Sequence, residues 1–165
     1  MTEDIVKNLE KGKYLLEHIH QEKYTDKTIA PYYSSIGSHI RHVLDMFNCV
    51  FIGCESSIVN FTKRERNCNV ENYISYGLDY FDSIINKLNK LTAADLDKEL
   101  KIVDDLGSGL CSVKSTLGAV LAQSHIHAIH HYASIGYMLH NLEVCLPTDS
   151  FGINPTTPQK VYADK

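Results

Sequence analysis

The sequence holds no run approaching the ~18–20 consecutive apolar residues of a membrane-spanning helix, which excludes a helical membrane protein. No CxxC pair occurs among its five cysteines (Cys49, Cys54, Cys68, Cys111 and Cys145), so neither a zinc ribbon nor an even disulfide framework is indicated. They read as reduced thiols, and Cys49 and Cys54, in an apolar helical run, read as core fillers. Basic charge is in short supply: 16 Lys and Arg stand against 20 Asp and Glu, a net charge of −4. An acidic chain gains nothing from phosphate electrostatics, so no nucleic-acid partner is expected. The short run Lys63-Arg64-Glu65-Arg66 is interrupted by an acid and reads as a solvated linker. No glycine-rich phosphate loop and no Ser/His/Asp order is legible. The opening MTEDIVKNLE lacks the basic and apolar regions of a secretory signal, which with the cysteine usage sets the expectation of a cytoplasmic protein with no membrane partner.

What is present is an ordinary globular composition, 44% apolar and 22% charged over 165 residues, enough for one domain with a real core. Apolar periodicity marks four helices. The first runs from about Thr2 to His20, with Thr2 as its cap. The second runs from about Tyr33 to Glu55, with Ile36, Ile40, Val43, Phe47, Val50 and Cys54 on one stripe. The third runs from about Val70 to Leu91, and the fourth from about Ser112, its cap, to Asn141. Residues 57–69 read as a polar crossover long enough to span the second helix. Residues 92–109 read as a long loop with only a weak strand signal at Lys101–Val103. The expected architecture is all-α, a four-helix bundle over residues 1–147, followed by an irregular tail over 148–165 lying on or near it.

Nine histidines are the unusual feature of the composition. On the fourth helix, Leu117, Leu121, Ser124, Ala128, His131, Ile135 and Met138 repeat at alternating spacings of 4 and 3, which sets His131 in an apolar seam. His127, four residues earlier, stacks on the same face, and two imidazoles so placed can grip one metal ion. The second helix supplies His39 and His42. If the two helices are antiparallel, His42 falls at about the height of His127 and His131, while by helical angle His39 lies nearer the centre of its stripe. Three imidazoles around a divalent ion leave a position open to water or substrate, the usual plan of a catalytic site. Imidazole ligation alone does not choose among Zn, Ni, Fe and Mn.

The segments Ile36-Gly37-Ser38-His39-Ile40-Arg41-His42-Val43-Leu44-Asp45 and Ser115-Thr116-Leu117-Gly118 through His127-Ala128-Ile129-His130-His131-Tyr132-Ala133 resemble the DinB-like superfamily. The resemblance extends to Arg64-Glu65-Arg66 and to Phe151-Gly152-Ile153-Asn154-Pro155. It implies up-down-down-up topology, a homodimer, and a divalent metal held by His42, His127 and His131. Superfamily members include transferases and isomerases that use low-molecular-weight thiols, so the fold does not fix the chemistry. The expected function is a metal-dependent hydrolase or thiol transferase acting on a small molecule. The alternative is a non-catalytic binding or structural protein whose metal site is closed by a fourth ligand such as Glu17, His18 or a tail residue.

Overall fold

Residues 1–158 are described by the structure, a computed structural model; Tyr162, expected to pack on the helices or a second subunit, lies outside the described residues. Four long helices pack side by side: α1 (Thr2–His18), α3 (Ile36–Ser56), α5 (Ile74–Asn89) and α7 (Leu117–Asn141). Short helices intervene at α2 (Gln21–Thr25), α4 (Cys68–Asn72) and α6 (Ala93–Leu96). Side-chain contacts give the directions. Lys13 meets Asp82, and Leu16 lies over Gly77, so α1 and α5 are antiparallel. His39 meets His131 and His42 meets His127, so α3 and α7 are antiparallel too. Asp45 meets Tyr80 and Asn48 meets Lys87, so α3 and α5 run together.

The all-α expectation of a four-helix bundle is corrected by a three-stranded mixed sheet. Strand β1 (Ile58–Asn60) pairs parallel with β2 (Glu99–Asp105), which pairs antiparallel with β3 (Leu110–Thr116). The physical reason it leaves no alternation in the sequence is burial. Within β2 and β3 only Leu100 is buried, so selection for an apolar inner face acts on almost none of their positions. The sheet is held instead by its ladder and by a turn in which Asp105 Oδ1 accepts from the amides of Gly107 and Gly109. Both glycines sit at positive φ, 105° and 104°. The crossover over 57–69 is likewise more structured than its polarity implies: Val59 and Phe61 are buried, and Phe61–Lys63 form a 3-10 turn.

Helix ends also move. Ser112 is paired with Val103 inside β3, and the last long helix is capped by Thr116, whose hydroxyl accepts from the Ala119 amide. The third expected helix is two, because Tyr73 is extended (φ −137°, ψ 122°) between α4 and α5. Helix α3 is capped at its start by Ser35, whose side chain accepts from the Ser38 amide, and at its end by Ser57 in the left-handed region.

The expected seams do form the core. Ile36, Ile40, Val43, Phe47 and Val50 of α3 are buried, as are Leu117, Leu121, Ser124, Ala128, Ile135 and Met138 of α7. His131 is the partly exposed member of its seam. The first part of the tail joins the core as well. Phe151 is buried and stacks on Tyr132 at 4.7 Å between ring centroids, and Gly152, at φ 73°, brings its backbone against that of Ala133. A side chain at Gly152 would meet that backbone, so the close approach needs glycine. Among the described residues no helix is long and apolar enough to cross a membrane.

Candidate metal centre

The antiparallel pairing of α3 and α7 brings His42, His127 and His131 into one cluster, with one ring nitrogen of each within 4.8 Å of the others. His127 and His131 are adjacent because four residues make about one helical turn. His42 reaches them from the facing helix. His127 Nε2 stands 2.8 Å from His42 Nε2 and 3.1 Å from His131 Nε2. The ring centroids are 4.5–4.9 Å apart, and the His42 plane stands at 75° to both of the others. The rings therefore meet by their nitrogen tips rather than by their faces.

Protons alone do not satisfy that meeting. A neutral imidazole nitrogen carries either one N–H or one lone pair, so His127 Nε2 cannot form two proper hydrogen bonds at once. Three lone pairs directed at one cation satisfy all three nitrogens, and the donor set thus fits a divalent ion. Burial keeps the rings in the ligating, neutral form. Desolvation, reinforced at His42 by Arg64 and at His131 by the adjoining imidazoles, pushes His42 down to about 4 and His131 down to about 3. It also lowers His127 and His39 from their ordinary value. No fourth His, Cys, Asp or Glu joins the cluster among the described residues. His18 instead hydrogen-bonds the Tyr14 carbonyl, 2.8 Å away, and stacks on the Tyr14 ring.

His39 and His42 part company here. His42 enters the cluster, whereas His39 lies behind His131, with the two Nδ1 atoms 2.8 Å apart. Its other nitrogen, Nε2, is 2.9 Å from Ser34 Oγ. One assignment of protons satisfies the whole chain: His131 Nδ1–H donates to His39 Nδ1, and His39 Nε2–H donates to Ser34 Oγ. That tautomer leaves the His131 Nε2 lone pair facing the cluster. It is the arrangement by which a neighbour commonly orients a metal-binding histidine. The residue nearer the stripe's centre thus lies behind His131, and the residue at its edge meets the partner helix at the height of the cluster.

Of the remaining histidines, His125 is half-buried on the side facing α1, near Asp4 and Lys11, and His130 and His140 are exposed. Two cations flank the centre. Arg41 is neutralised by Asp45 at 2.6 Å and Glu71 at 2.5 Å. Tyr80 also donates to Asp45 at 3.2 Å, which occupies the carboxylate that follows the second helix's histidines. Arg64 makes no ion pair among the described residues, points an N–H at Met46 Sδ, and lies close enough to lower the pKa of His42. Sequence reasoning placed Arg64 in a solvated linker and missed Ser34 altogether. A single basic residue in an irregular segment carries no periodic signal, and only the return of the 57–67 segment along α3 puts it at the site.

No family model matches the chain. No solved structure matches it either. Among curated proteins, FK506-binding protein 5 of Rhizopus delemar is 31% identical over 108 residues. That match takes in 64% of this chain but 28% of the relative, so the chain spans little more than a quarter of the protein it resembles.

Proposed function

We propose that the protein is a divalent-metal-dependent enzyme of the DinB-like type, with His42, His127 and His131 as its metal ligands. One observation carries the reading: three neutral Nε2 atoms converge on one point, two of the contacts share His127 Nε2, and hydrogen bonds alone do not account for both. Three protein ligands with no fourth among the described residues match the open plan of a catalytic site rather than the closed plan of a structural one. Bound there, Zn, Ni, Fe or Mn supplies a Lewis acid that activates a water molecule or a thiol near neutral pH.

The chain's own residues do the rest. His39 and Ser34 hold the His131 ring in the orientation that faces Nε2 inward. The Arg64 guanidinium, with no carboxylate paired to it, favours negative charge developing at the site. Arg41, Asp45, Glu71 and Tyr80 tie α3 to α4 and α5 and so fix the height of His42. The reaction class is hydrolysis of a small molecule or transfer to it of a low-molecular-weight thiol.

The test is elemental analysis of tag-free protein purified without added metal, then a screen of small electrophiles with and without a thiol cosubstrate. About one ion per chain is expected, lost together with activity in His131→Ala. Protein that takes up no Zn or Ni on reconstitution overturns the metal reading. Metal uptake together with full activity in the stripped protein overturns the catalytic one. A closed, waterless metal site in an experimental structure would transfer support to a binding or structural role.

A further inference from the structure

Beside the histidine cluster lies a cleft of about 450 Å³, between the irregular segment that precedes α3 and the C-terminal half of α7. Its volume falls within the range that takes a small organic ligand. His39 and His131 form part of its wall, and it continues into a shallower depression of about 260 Å³ that reaches His42 and shares Tyr32, Ser34, His39 and His131 with it. Two of the three proposed ligands therefore open onto one continuous trough. Its apolar lining is Ile29, Pro31 and Met138, with Tyr32 from the segment before α3 and Tyr137 from α7. Those two tyrosines are 86% and 77% exposed, which for large aromatic rings is a cost in water unless something covers them.

The wall is also uncharged. No Asp, Glu, Lys or Arg lines the cleft among the described residues, and its polar groups are Ser34, Ser134, Asn141 and imidazoles. The one cation bordering the shallower part, Arg41, is already paired with two carboxylates. A charged ligand body would lose its hydration there without a countercharge, whereas an uncharged ring would bury apolar area against the two tyrosines. A separate hollow further along α3 is built differently, with Lys63, Arg64, Asp45 and Glu65 among its lining residues.

We propose that the trough is the substrate-binding site and that it takes a neutral, aromatic or comparably flat apolar body, which packs on Tyr32 and Tyr137 with the reacting group toward the histidines. This rests on the metal-enzyme reading for the chemistry but not for the binding, and the two are separable by experiment. Benzamide, benzoate and benzylammonium share one ring and differ in charge. Ligand-observed NMR with chelator-treated full-length protein is expected to show benzamide binding at least fivefold more tightly than either ion. Tyr137→Ser and Tyr32→Ser should each weaken benzamide about fivefold, while Tyr76→Ser, at an exposed tyrosine on α5 outside the trough, should not. Equal binding of the three probes, or no effect of the trough tyrosines, overturns the proposal. In Co²⁺-loaded protein the bound benzamide should show paramagnetic broadening absent from the Zn²⁺-loaded form. Co²⁺ uptake without broadening places the trough away from the metal and overturns its role as a substrate site. Failure of Co²⁺ to bind while the neutral-ring preference holds overturns the metal reading and leaves a binding site for uncharged aromatics.

Discussion

Two antiparallel helix pairs in this molecule obey the same register rules and come to opposite ends. Between α1 and α5 the facing residues are Leu16, Phe81 and two glycines. Gly12 admits the Tyr132 and Phe81 rings and Gly77 admits Leu16, and a Cβ on either glycine would collide with a side chain. That seam is close-packed. Between α3 and α7 the equivalent heights hold His39, His42, His127 and His131, whose nitrogen tips meet where side-chain methyls would otherwise interdigitate. Apolar residues satisfy a helix pair by contact alone; imidazoles that meet across one leave polar atoms that need a partner.

The comparison can be broken most completely at His127, the nitrogen shared by both short contacts. His127→Ala is expected to reduce bound metal from about one ion per chain to near zero while circular dichroism stays helical. Retained stoichiometric metal would mean that the cluster is not the site. Breaking the seam between α1 and α5 should do the reverse. Leu16→Ala leaves a cavity beside Gly77 and is expected to cost about 3 kcal/mol in a denaturant melt, with metal content unchanged. A Leu16 variant that loses metal as well would show that the two seams are not independent.

His39→Ala sharpens the distinction between a ligand and its support. Removing the hydrogen-bond partner of His131 is expected to weaken metal binding about 10–100-fold rather than abolish it. His39→Gln, which keeps an acceptor, should recover part of the loss. Full loss in His39→Ala with full retention in His42→Ala would exchange the two roles.

A smaller effect concerns pH in chelator-treated protein. The folded state holds His42 at about 4 and His131 at about 3, against 6.5 for the free side chain, so below pH 6.5 the unfolded chain takes up protons that the folded chain refuses. The contribution to stability is whole above pH 6.5 and drains away as pH falls toward 4. The Tm of the metal-free protein should therefore decline across that window. The decline should be shallower in a His42→Leu, His131→Leu double variant. Equal slopes would locate the acid sensitivity elsewhere.

Much of the helical part was legible because buried faces impose a period. The stripes on α3 and α7 are buried nearly residue for residue, and the one histidine interrupting the α7 seam marks the site. The sheet was not legible, because β1 is only three residues long and β2 and β3, buried only at Leu100, have no apolar alternation to display. Nor was the tail's contribution, since Phe151 enters the core from an irregular segment with no period of its own.

By itself the sequence determined which residues lie on which face of each long helix, and therefore that His127 and His131 stack and that His39 and His42 lie within one turn of each other. Helical geometry is local, so those relations follow from spacing alone. Only the tertiary structure decided that His42 meets the pair and His39 stands behind it, that Ser34 and Arg64 border the centre, and that the cleft beside it is uncharged. Those facts depend on the height at which two helices cross and on where irregular segments return, which are set by packing between distant parts of the chain.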